Sequence, residues 1–132
     1  RSEDGGKNWR ALSEPGGIFS SAVIDPLDPA VVYIGSTHLG IFKTTDGGES
    51  WQPVNQGLTN LAINHLAVDP THPQTIYAAT DGGGFVSTDG GNNWRALPAG
   101  LGTNPVVYSI AVDPGDPPRI FVVTPDGLFV YE

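Results

Sequence analysis

The chain contains no cysteine among its 132 residues, which excludes disulfide scaffolding and thiolate chemistry. Positive charge is scarce: six Lys and Arg face fourteen Asp and Glu, a formal net charge of −8. A phosphate-binding surface needs clustered basic side chains, so this scattered set argues against a nucleic-acid partner. No apolar run approaches the ~18 residues that cross a bilayer as a helix, so no membrane span is expected. The opening residues RSEDGGKNW lack an apolar stretch of signal-peptide type, as in a mature, trimmed or never-exported start. Long helices are disfavoured too, because 18 Gly and 12 Pro punctuate the chain. No pair of His and carboxylate has metal-ligand spacing, and neither a metal nor a cofactor is expected.

What is present is a repeat. Three octapeptides match, SEDGGKNW (2–9), TTDGGESW (44–51) and STDGGNNW (87–94), and their aspartates Asp4, Asp46 and Asp89 lie 42 and 43 residues apart. Between them recur VIDPLDP (23–29), AVDPTHP (67–73) and AVDPGDP (111–117), whose aspartates Asp25, Asp69 and Asp113 are spaced 44 and 44. The apolar segments VVYIGST, TIYAATD and RIFVVTP follow at the same period. Three landmarks on one period define three units. They also assign eight of the fourteen acidic residues to turns, so the acidity needs no ligand to explain it.

Each unit reads as four short strands, in the second unit 62–68, 75–80, 85–88 and 94–97, rich in Val, Ile, Tyr and Phe and bounded by turn residues. Four antiparallel strands in one such period make a propeller blade. The expected fold is all-β: blade 1 at about 16–57, blade 2 at about 60–100, and blade 3 at about 104–132, with 1–12 supplying its missing hairpin and outer strand. Propellers run from about four to eight blades, so three leave a ring open. Completion by a second copy, giving six blades, is the preferred expectation; a piece of a longer array is the alternative.

The octapeptides are tight hairpins between third and outer strands. Ser2, Thr44 and Ser87 supply a hydroxyl, Asp4, Asp46 and Asp89 a carboxylate for the turn amides, and Gly6, Gly48 and Gly91 belong to Gly-Gly pairs giving positive φ. Trp9, Trp51 and Trp94 open the outer strand and are expected to bury their rings. At these residues the sequence resembles the Asp-box (BNR-repeat) propellers: bacterial sialidases, xyloglucanases, sortilin-type receptors and photosystem-assembly propellers. The resemblance covers the whole chain. It implies a propeller with the boxes at the periphery, away from any ligand, and slightly favours an extracellular or periplasmic setting.

Function is sought on the rim where the units differ. From box Trp to the Asp of Asp-Pro is 16, 18 and 19 residues in turn, and variable loops on a repeated frame carry function. Ser20, Ser21, Asn64, His65, Tyr108 and Ser109 stand there, and the neighbouring hairpins add His38, Asp81 and Asp126. The candidate ligand residues are His38, Asn64, His65, Asp81, Tyr108 and Asp126. No catalytic residue is assigned. A sialidase-like site needs an arginine cluster, and Arg1, Arg10, Arg95 and Arg119 do not converge; only Asp81 and Asp126 could form an opposed carboxylate pair. The expected function is a non-catalytic module binding a carbohydrate or protein, or scaffolding an assembly. The alternatives are a fragment or subunit of a glycoside hydrolase and an excised or engineered half-propeller.

Overall fold

The computed structural model describes residues 1–12 and 15–132, which contain eleven strands and no helix. Strands β1 (Phe19–Ile24), β2 (Val32–Ser36), β3 (Gly40–Thr44) and β4 (Gln52–Pro53) form one antiparallel sheet in sequence order. β5 (Ile63–Val68), β6 (Ile76–Thr80), β7 (Gly83–Ser87) and β8 (Arg95–Ala96) form the second. β9 (Ser109–Asp113), β10 (Arg119–Thr124) and β11 (Gly127–Tyr131) form a third sheet of three strands. These are successive propeller blades, with inner strands β1, β5 and β9 packed side by side.

Two apolar layers hold the blades together. Tyr33, Ile41, Ile63, Leu66, Ile76, Phe85 and Trp94 close the gap between the first and second sheets, and Tyr77, Val86, Val107, Ile110, Ile120 and Val122 that between the second and third. All five residues of β6 are buried, because a blade covers each of its faces. The strand thus reads IYAAT, without the polar alternation of a half-solvated strand. Burying each large aliphatic side chain contributes ~1.5–3 kcal/mol, so the layers dominate the stability.

Turn chemistry sets both ends of each blade. Asp25 and Asp69 are buried and cap the Asp-Pro turns, accepting from the amides of Leu27 and Asp28 and of Thr71 and His72. Gly57, at φ +92°, lies against the Trp94 backbone, where a Cβ would collide with the Trp94 carbonyl oxygen.

The fourth strand of the third blade departs from the sequence expectation. Residues 1–12 form no strand and lie beside the first sheet, with Arg10 3.5 Å from Glu49 and Leu12 against Gly48. They therefore do not complete blade 3 within the chain. The segment lies against blade 1, where Arg1 and Leu12 border a cavity with Ile24 and Val32. Trp9 departs as well. Its box is formed, but the ring is 77% exposed and its indole N–H donates to the Gly6 carbonyl.

Candidate binding rim

The boxes are built alike. Thr44 Oγ1 donates to Asp46 at 2.6 Å and accepts from the Gly48 amide, while Asp46 accepts from the amides of Glu49 and Ser50 and from the Ser50 hydroxyl. Ser87, Asp89, Gly91 and Asn93 repeat the pattern, as do Ser2, Asp4, Gly6 and Asn8. These bonds favour the ionised carboxyl: the Asn8 amide and side chain and Ser2 hold Asp4 at about 2, and Ser50 and Asn93 lead the lowering of Asp46 and Asp89. A carboxylate so surrounded is a turn fastener. The 87–94 box is also a joint between blades, since the Trp94 indole donates to the Val54 carbonyl at 2.8 Å and Tyr33 and Lys43 both donate to the Gly90 carbonyl.

The opposite rim holds all six candidate ligand residues. Asn64 and Asp81 are in direct contact, Asn64 Nδ2 donating to Asp81 Oδ1 at 2.9 Å and to the Val107 carbonyl at 2.9 Å. His65 Nδ1 lies 3.1 Å from the Ile110 carbonyl and 3.4 Å from Ser109 Oγ. Asp126 accepts from the amides of Thr103 and Asn104, which lower its pKa and fasten the loop before the third blade. His38 Nδ1 meets Thr37 Oγ1 at 2.7 Å, and Tyr108 is exposed, its amide bonded to the Val123 carbonyl. Among the described residues no hydrogen bond joins His38, Tyr108 or Asp126 to the Asn64–Asp81 pair.

Two features of this rim escape sequence reading. The first is a set of rungs between inner strands. β1 and β5 carry bulges between Phe19 and Ser21 and between Ile63 and His65, which turn Ser20 and Asn64 toward the next blade. Ser20 Oγ then donates to the Ile63 carbonyl as Asn64 does to that of Val107, and Ser21 accepts from the Leu66 amide. The signal was their 44-residue spacing in otherwise apolar strands. The second is apolar: Ile18, Leu39, Leu61 and Tyr108 are all exposed on this rim.

The comparisons agree with the geometry. The family model described as "Sortilin, neurotensin receptor 3" (Sortilin-Vps10) matches residues 1–126. The chain belongs to the sortilin–Vps10 family. Among solved structures it is similar to an ancestral GH74 enzyme (34% identity, TM-score 0.71, over 82% of this chain and 14% of that one). It is also similar to YCF48 from Cyanidioschyzon merolae (19% identity, TM-score 0.74, 94% and 37%) and to the GH74 enzyme of Niastella koreensis (22%, 0.64, 82% and 18%). This sortilin–Vps10 chain thus spans well under two thirds of each of these structures. The two likenesses below 25% identity concern the propeller fold alone.

Proposed function

We propose that the chain is a non-catalytic binding module of a propeller that holds a protein segment on the rim of His38, Asn64, His65, Asp81, Tyr108 and Asp126. The observation that carries this reading is how the polar groups are engaged. Asn64, His65 and Asp126 bond to backbone of the frame, which commits these polar groups to positioning loops. The exposed side chains of this rim are instead Tyr108, Leu39 and Leu61, apolar groups on the same edge as the fixed Asn64–Asp81 pair. Aliphatic side chains favour a peptide over a sugar ring, and one similar propeller, YCF48, is known in a form bound to a D1 peptide. A carbohydrate ligand is the second choice. We further propose that two copies form a six-bladed ring, and that the setting is extracellular or periplasmic.

A peptide-array screen followed by titration tests the rim. Tyr108→Ala should weaken the selected peptide at least ~10-fold, about 1.4 kcal/mol, without altering thermal stability. Leu27→Ser on the opposite rim should leave affinity unchanged. The reverse pattern would place the ligand on the Asp-Pro side.

A second reading, part of a glycoside hydrolase, draws on the 34% identity to the ancestral GH74 enzyme. Turnover of xyloglucan or aryl glycosides by the isolated chain would establish it in place of the first.

A further inference from the structure

The segments that lead out of the first two blades are close copies. VNQGLTN (54–60) and LPAGLGTN (97–104) match Gly57 with Gly100, Leu58 with Leu101 and Asn60 with Asn104, with Gly102 inserted. Asn60 and Asn104 play one part, each accepting from the amide two residues on, that of Ala62 or Val106. Asn55, however, is matched by Pro98.

In the first blade the Asn55 carboxamide finishes the open edge of β3. Its Oδ1 accepts from the Ile41 amide at 2.7 Å and its Nδ2 donates to the Leu39 carbonyl at 3.3 Å. One side chain thus answers a backbone donor and a backbone acceptor together. Proline offers neither group. In the second blade β7 pairs with β8 as far as Phe85 with Ala96, and beyond it the Leu97 amide donates to the Gly84 carbonyl, as Val54 does to Ile41. The N–H and C=O of one extended residue point the same way, so the Gly84 amide faces this edge. Among the described residues it has no acceptor, and the Gly82 carbonyl, which matches that of Leu39, has no donor. At Gly40 a Cβ would collide with the Asn55 carboxamide; at the matching Gly83 it would meet open space. A cavity of about 310 Å³ lies there, lined by Gly82, Gly83, Gly84, Leu97, Pro98 and Thr103 among others. Neither residues 1–12 nor β11 border it.

We propose that this edge binds the primary carboxamide of an asparagine or glutamine carried by a partner protein segment, in the pose that Asn55 holds in the first blade. The oxygen accepts from the Gly84 amide and the NH2 donates to the Gly82 carbonyl. This rests on the reading that a protein segment lies on the rim, and it adds the side chain that the segment carries. Two rim residues frame the site: Asp81 precedes Gly82, and Asp126 holds the amides of Thr103 and Asn104 on the far wall. Other groups match the edge less well. A carboxylate has nothing to donate to Gly82 and would approach Asp81 and Asp126 on a chain of net charge −8. An ammonium cannot accept from Gly84. A trans peptide unit points its N–H and C=O to opposite sides.

Amide NMR of the full chain tests this, with N-acetylasparagine methylamide as the probe and the leucine and aspartate equivalents as controls. The Gly84 resonance should shift with the probe and stay with both controls. Pro98→Asn should shift it with no probe added and weaken the probe at least ~10-fold, because the two hydrogen bonds are then made internally. Pro98→Ala leaves the edge open and should keep the response. A Gly84 resonance that ignores the probe, that answers the leucine control equally, or that still answers the probe in Pro98→Asn would overturn the proposal. Peptides selected on the rim separate the two readings. If they need Tyr108 but bind Pro98→Asn unchanged, the carboxamide site falls and the rim stands. If Gly84 answers the probe as expected while no peptide needs Tyr108, the carboxamide site stands and the rim falls.

Discussion

At the scale of single residues, the joints between blades are the sensitive points. Trp94 is buried and bridges two blades through its ring and its indole N–H. Trp94→Ala should therefore cost about 3–5 kcal/mol in chemical denaturation, in the range of other buried aromatics. Trp9→Ala, in a monomer held at nanomolar concentration, should cost under ~0.5 kcal/mol, because the ring is in solvent there. Gly57→Ala should cost on the order of 2 kcal/mol or more, since it combines a positive φ with a collision against a backbone carbonyl that cannot move aside. The box carboxylates predict the response to acid. Asp46 and Asp89 have folded pKa values below the ordinary 3.8, so their hydrogen bonds stabilise the fold fully above that pH. That contribution is lost as pH falls through 3.8 and below. Circular dichroism should show melting temperature constant from neutrality to about pH 4.5 and falling beneath it. Asp89→Asn should flatten the fall.

At the scale of elements, the strands and their turns were legible because each landmark has a local cause. The Gly-Gly of TTDGGESW can only be a hairpin with positive φ, and AVDPTHP holds its carboxylate where the turn amides need it. The period then placed β5, β6 and β7 within two residues of their expected bounds. The rungs were not legible. A bulge adds one residue to an inner strand without changing its composition, so Asn64 and His65 read as free loop polars although both bond to the next blade. The exposure of Trp9 was hidden for a different reason: its box is locally complete, and burial of its ring depends on a neighbouring blade. The rungs carry their own expectation. Ser20→Ala leaves the Ile63 carbonyl without its donor and should destabilise by about 1–2 kcal/mol, measured by urea denaturation.

At the scale of the whole molecule, the second sheet is covered on both faces, the first by the second sheet and in part by residues 1–12, and the third on one face. Native-state hydrogen exchange should reflect this, with β6 amides slowest and those of β11 and residues 1–12 fastest in a dilute monomer. Protection of β11 should rise steeply with protein concentration if the exposed face of the third sheet is a joint. The rim reading depends on the same assembly, because only a closed ring brings the loops of all blades around one axis. The measurement that tests this most directly is sedimentation equilibrium of the 132-residue chain across the micromolar range. A single folded species at twice the 13.8 kDa chain mass is the predicted result. A monomer that stays folded with Val123, Leu128 and Val130 in water would contradict it.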